Sequence, residues 1–115
     1  MLLNLGGPEK LDEVEDFLVN LFNDEDIIRL PNAIKPLQGL IARRIASSRA
    51  PGSREAYESI GGGSPLTKLT NEQGEKLVEE LGRRGIQAKS YVGMRYWYPF
   101  TEEAVDEILK DGVNR

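Results

Sequence analysis

Only two stretches of this chain carry a β-strand pattern, and residues 6–85 lie between them. Leu2, Leu3 and Leu5 form a short apolar run that stops at Gly6-Gly7-Pro8, which reads as a buried strand ended by a turn. The second run, "IQAKSYVG" at residues 86–93, puts Ile86, Ala88, Ser90 and Val92 on one face by alternation. Everything between them is helical in pattern, and a last helix follows. Strand, helices, strand, helix is the opening of an α/β domain with a parallel sheet. Two strands are too few for a sheet that stands alone. The final "DGVNR" falls where the next strand is due, so the chain reads as part of a longer domain.

The helices follow from apolar spacing. In residues 9–23, Leu11, Val14, Phe17, Leu18, Leu21 and Phe22 share a face opposite Glu9, Asp12, Glu13, Glu15 and Asp16, a face expected to be solvated. A linker, "NDEDIIRLPN", leads to a second helix with Pro36 in its first turn and Leu37, Leu40, Ile41 and Ile45 as its apolar stripe. "SSRAPGS" is expected to break that helix, leaving "REAYESI" as two separate turns. Thr70 and Gln73 have the spacing of a capping box for a third helix, which would bury Leu77, Val78 and Leu81 and stop at Gly82 or Gly85. Thr101 is placed to cap the last helix, with Ala104, Val105, Ile108 and Leu109 inward and Asp111-Gly112 as its end.

Composition narrows the chemistry. With 39% hydrophobic and 30% charged residues the chain is globular in type, and its net charge of -4 gives no bulk attraction to nucleic acid or an acidic membrane. It contains no Cys and no His, which removes disulfides, thiolate catalysis, Cys-ligated zinc and a histidine base. No apolar run approaches the roughly 20 residues of a membrane span. The start carries no secretory signal, so the cytoplasm is the expected location.

Two kinds of segment invite a ligand. "LGGPEK" and "IGGGSPLT" are glycine-rich, but neither has the spacing of a phosphate loop, and tight turns are the favoured reading. "VGMRYWYPF" stands at a strand end, where open α/β sheets place ligands. Arg95 there could clamp a carboxylate or phosphate, and Tyr96, Trp97 and Tyr98 could cover a flat ring. Equally, the aromatics could be core and Arg95 an ion-pair partner. Arg43, Arg44 and Arg49 make the end of the second helix basic, most simply a solvated helix terminus.

Taken together, "LLNLGGPE", "IIRLP", "REAYESIGGGSPL" and "YVGMRYWYPFTEEAVDEI", in that order and at this spacing, resemble ferrochelatases, and the resemblance runs along the whole chain. It implies a partial Rossmann-like half-domain of the chelatase type with a helical lip at about residues 32–66, and the whole of 1–115 as the N-terminal part of a longer domain. It implies Fe(II) insertion into a porphyrin in heme synthesis, with porphyrin and Fe(II) as substrates. By position, Leu5, Arg49, Tyr57, Ser64, Arg95 and Tyr96 would be the porphyrin contacts, with the Gly61–Ser64 loop facing a ring edge. Tyr98 stands where many relatives carry His. The family's metal-binding His and its acidic partner lie later in the chain, so no catalytic or metal-ligating residue is assigned here and this chain alone is expected to be inactive. Its partners would be porphyrin, the missing C-terminal half or a second copy, and, through the lip, a membrane surface. Two rival readings are a non-catalytic porphyrin- or heme-binding module and a self-associating α/β module without a ligand.

Overall fold

A computed structural model describes residues 1–113, with β1 (Leu2–Asn4), α1 (Val14–Phe22), α2 (Gln38–Ser59), α3 (Leu66–Arg83), β2 (Val92–Met94) and α4 (Thr101–Lys110) in chain order. Short 3-10 turns at Leu11–Glu13 and Lys35–Leu37 lead into α1 and α2. The chain divides into two compact units: Gly7–Ser64 holds α1 and α2, and Met1–Gly6 with Pro65–Arg115 holds both strands, α3 and α4.

In the strand-bearing unit, β1 and β2 pair in parallel, with Leu2 opposite Val92, Leu3 opposite Gly93 and Asn4 opposite Met94. The fold class is the expected partial α/β domain with a parallel sheet. The ladder continues past both strands, where the Arg95 N–H donates to the Asn4 carbonyl at 3.0 Å and the Tyr96 N–H to Leu5 at 2.9 Å. Of the run expected to be a strand over 86–93, only its end pairs, because β1 offers three residues to pair with. Leu3 is 63% exposed, so β1 is not the buried strand its composition suggested. The strand expected to begin in "DGVNR" falls partly on Asn114 and Arg115, which lie outside the described residues.

Both helices of this unit press small residues, not large ones, toward the strands. α3 buries Thr67, Thr70 and Gly74, while Leu77 is 50% exposed. At Gly74 an added Cβ would sit 2.9 Å from the Ser90 Cβ, so the helix backbone lies directly against the Ser90 side chain. Val78 and Leu81 of the expected face are half-buried and continue the line of Thr67, Thr70 and Gly74, whereas the closest approach falls on the small residues. Thr70 is therefore not a cap: α3 opens at Leu66 directly after Pro65, and the Thr70 hydroxyl donates to the Leu66 carbonyl at 2.7 Å. The expected stop near Gly85 holds. The Ile86 N–H reaches the Leu81 carbonyl at 2.9 Å and the Gly85 N–H reaches Gly82 at 3.0 Å, with Gly85 at φ +78°, the paired bonds of a left-handed helix end.

α4 buries only Ala104, leaving Val105 40% and Leu109 67% exposed. Its cap position is Phe100, whose N–H donates to the Glu103 carboxylate at 2.7 Å, and the Thr101 hydroxyl instead donates to the Met94 carbonyl at 3.2 Å. The far end of α4 is tied to the approach to β2. Lys89 pairs with Asp111 and Glu107, and the Tyr91 hydroxyl donates to Asp111 at 2.7 Å. Those bonds hold the Asp111 carboxyl below the ordinary range, Lys89 first and Tyr91 second, and hold the Lys89 ammonium above its own.

In the helical unit, α1 buries Val14, Phe17 and Leu18, as its spacing predicts. α2 departs from expectation. It runs unbroken through "SSRAPGS", with Pro51 inside it, although an interior proline costs about 3 kcal/mol and the adjacent glycine about 1 kcal/mol relative to alanine. Packing against α1 offsets that cost. The buried line of α2 is Gln38, Ala42, Ala46 and Ala50, one residue per turn, and three alanines let the two helices approach closely. Of the stripe expected to pack, Ile41 and Ile45 are half-buried, while Leu37 is 49% and Leu40 68% exposed. Gln38 anchors the linker after α1, its side-chain amide donating to the carbonyls of Phe22 at 3.1 Å and Ile28 at 3.2 Å.

The two glycine-rich motifs of the sequence meet in this unit. The Ser64 N–H donates to the Pro8 carbonyl at 2.7 Å. A Cβ at Gly7 would lie 2.7 Å from the Ser64 Cβ, and one at Gly63 would fall inside the carbonyl of Glu9. Gly63 leaves room for the Glu9 backbone and Gly7 for the Ser64 side chain, so neither position has space for a side chain of its own. Gly61 and Gly62 have open space beside them and positive φ, a turn conformation.

Candidate functional site

Each unit carries a hollow that combines arginine with aliphatic surface. In the strand-bearing unit a hollow of about 410 Å³ is lined by Leu3, Asn4, Leu5, Arg95 and Thr101. Its position follows from the pairing: parallel strands bring the residues after Asn4 and after Met94 to the same sheet end, and the ladder there fixes Leu5 beside Tyr96. Leu5 is 56% exposed and offers apolar surface, and Arg95 is exposed with its guanidinium 5.3 Å from the Tyr96 ring centroid. A cation held over an aromatic face has part of its orientation set before a ligand arrives.

The aromatic segment divides by burial, without strict alternation. Tyr96 and Trp97 are buried, at 4% and 9% exposure, while Tyr98 is 55% exposed and stacks edge-on to Trp97 and Phe100 at 5.3 and 4.7 Å between centroids. The Tyr98–Pro99 peptide is cis. Tyr96 and Trp97 belong to the core, and Arg95 projects outward from them.

In the helical unit a hollow of about 520 Å³ is lined by Arg44, Ile45, Ser47, Ser48 and Arg49 of α2. Arg49 makes no ion pair with any described residue. Tyr57 lies eight residues further along the helix, about 12 Å on at 1.5 Å per residue. It is half-buried, and burial pushes its phenol above the ordinary range. The Tyr57 carbonyl accepts the Gly62 N–H at 2.9 Å, which folds the glycine loop back over the end of α2 and carries the chain to Ser64. Thus Leu5, Arg95 and Tyr96 gather at one sheet end, and Arg49, Tyr57 and Ser64 belong to the helical unit. Among the described residues no group of three or more acidic side chains is arranged to hold a metal.

Sequence reasoning missed Asn4 and Thr101, which line the first hollow, and the network that joins α1 to α2. The Asn4 side chain accepts the Leu5 N–H at 2.8 Å, and asparagine at the end of an apolar run was the available signal. In the network, Glu15 accepts the Ser47 hydroxyl at 2.6 Å and the Arg54 guanidinium at 3.2 Å, and Arg54 also donates to the Leu11 carbonyl at 3.3 Å. Its bonds, Ser47 first, hold the Glu15 carboxyl below the ordinary range. Nothing local announces this arrangement, since it exists only if α2 continues past Pro51.

These features define a class: part of a parallel α/β domain with an arginine-bearing hollow at the strand ends. The chain belongs to the ferrochelatase family, whose model matches residues 1–115. It is 58% identical over its full length to ferrochelatase-1, chloroplastic/mitochondrial, of Arabidopsis thaliana and 56% identical to ferrochelatase-2, chloroplastic, of Cucumis sativus. To the ferrochelatase of Gloeobacter violaceus it is 55% identical, again over its full length. It spans 25%, 22% and 35% of those relatives, respectively. The expected cytoplasmic location is overturned: the plant relatives are named as chloroplastic or chloroplastic/mitochondrial, which points to organelles.

Proposed function

We propose that this chain forms the N-terminal part of a ferrochelatase porphyrin cleft, with a porphyrin and Fe(II) as the substrates of the complete protein. The observation that carries the reading is the pairing of an exposed arginine with aliphatic surface in both hollows, Arg95 with Leu3 and Leu5, and Arg49 with Ile45. A porphyrin is a flat apolar ring with anionic propionates, and it calls for that combination. In this reading Leu5, Tyr57, Ser64 and Tyr96 complete the contacts, and residues of about 32–66 form the lip. Gly61 and Gly62 leave open space that a ring edge could approach. The metal ligand and the base that takes the pyrrole protons come from outside these 115 residues, which hold no His and no Cys. By the names of its plant relatives, the protein would act in a chloroplast or mitochondrion.

Fluorescence titration with protoporphyrin tests this. The chain is expected to bind saturably, and Arg95→Ala is expected to weaken binding by about tenfold, the loss of one charge-assisted contact. Binding indifferent to Arg95 would overturn its assignment. Iron insertion by the purified chain above a no-protein control would overturn the expectation that catalysis needs the remainder.

A second reading concerns the lip, and charge segregation favours it. Residues 27–53 contain Arg29, Lys35, Arg43, Arg44 and Arg49 and no acidic residue, in a chain of net charge -4. On the same stretch Ile34, Leu37 and Leu40 are exposed. A basic helix with apolar residues outward suits the interface of an anionic bilayer. Co-sedimentation with phosphatidylglycerol vesicles is expected to fall severalfold in Leu40→Glu and in 0.5 M salt; unchanged retention in both would remove the reading.

A further inference from the structure

We propose that Glu15 is a positioning residue: by bridging Ser47 and Arg54 it holds α2 to one course through Pro51 and so sets the disposition of Arg49 relative to Tyr57. The inference rests on the porphyrin reading of those two residues. Pro51 supplies no N–H, so the Ser47 carbonyl four residues earlier loses its helical donor, and Gly52 follows directly. This is the softest point of the helix. Arg49 lies before it and Tyr57 after it, so any bend here changes the distance and angle between them.

The network straddles that point. One carboxylate of α1 takes a bond from Ser47, on the Arg49 side of Pro51, and another from Arg54, on the Tyr57 side. Arg54 is fixed in turn by the Leu11 carbonyl, at the entrance to α1. The fully buried alanine line Ala42, Ala46 and Ala50 ends just before Pro51, and beyond it no α2 residue is fully buried, Tyr57 being half-buried. The second arm begins where the alanines stop; its far end reaches Pro8 through the glycine loop, and near Pro51 Arg54 bonds it to Glu15 of α1. Each bond is partly exposed and modest by itself. The effect is geometric: two bonds to one carboxylate fix an angle that the backbone no longer fixes.

A double-mutant cycle between residues that carry no shared bond tests this. Glu15→Gln is expected to weaken protoporphyrin binding by about three- to fivefold in the natural sequence. In a Pro51→Ala background, where the helix regains its own hydrogen bond, the same change is expected to matter less than about twofold. The chain has no native cysteine, so spin labels at Arg43→Cys and Glu58→Cys report the course of α2 directly. Glu15→Gln should broaden that distance distribution, Glu15→Asp should restore most of it, and Pro51→Ala should make it insensitive to residue 15. An unchanged distribution in Glu15→Gln, or equal losses of affinity with and without Pro51, overturns the proposal. Arg49→Ala, run beside them, separates the two layers. If Arg49→Ala weakens binding and Glu15→Gln does not, the porphyrin reading stands and the positioning role falls. If Arg49→Ala has no effect on binding, the porphyrin reading of Arg49 fails and the positioning role goes with it.

Discussion

Gly63→Ala is expected to destabilise the chain by about 3 kcal/mol, the upper part of the range for overpacking a well-packed site. The cost arises because the new methyl group would fall inside the backbone carbonyl of Glu9, an atom that cannot swing aside like the tip of a long side chain. The Ser64 N–H bond to the Pro8 carbonyl, 2.7 Å long, holds the two segments together at this point, so separating them sacrifices that bond as well. Gly52→Ala is the control. Gly52 lies within α2 with nothing within 4 Å of an added Cβ, and alanine there should stabilise by about 0.5–1 kcal/mol. Urea unfolding of both variants against the parent checks the pair. A neutral Gly63→Ala would mean that the two glycine motifs do not meet in solution.

Met94→Ala should cost about 2–5 kcal/mol. Met94 is fully buried at the end of β2, and its Cβ lies 3.1 Å from where a side chain at Gly6 would begin, so the site is filled on the β1 side. Its backbone is pinned as well: the Met94 N–H donates to the Pro99 carbonyl at 2.7 Å, and its carbonyl accepts the Thr101 hydroxyl. With the walls held on two sides, the cavity left by truncation collapses only in part, which places the cost in the body of that range. Leu109→Ala, at a residue of similar bulk that is 67% exposed, should stay within about 0.5 kcal/mol of the parent. Thermal unfolding of the two variants separates the cases.

The residues where reading and structure disagree have a common character. Leu37, Leu40, Leu77 and Leu109 are expected on packed faces and are exposed, whereas Ala42, Ala46, Ala50, Thr70 and Gly74 carry contacts, and of the inward face expected for α4 only Ala104 is fully buried. Apolar periodicity detects a helix and the width of its apolar face. It does not say whether the neighbour lies at the distance that suits leucine or at the one that suits alanine, and that distance is a property of the partner. Thr70 and Thr101 were misplaced for a related reason. A threonine can cap a helix or bond a nearby carbonyl, and only the position of that carbonyl decides. At the candidate site, Arg95 could be picked out because strand ends gather ligand residues in parallel sheets, and Leu5 through the family resemblance. Asn4 and Thr101 were not, since what gathers them is the pairing of two strands far apart in sequence, and the Glu15 network joins residues more than thirty positions apart.

What the sequence by itself determined is local or cumulative: the helix stop at Gly85, the helical face of Val14, Phe17 and Leu18, the parallel α/β class, and membership of the ferrochelatase family through motifs spread along the whole chain. These depend on backbone conformation and short-range spacing, which a residue carries wherever it is placed. The tertiary structure decided that α2 continues through Pro51, that "LGGPEK" and "IGGGSPLT" serve each other's backbone, and that small side chains rather than large ones form the contacts. Each of these turns on how closely two segments approach, a distance set by both partners at once and written in neither alone.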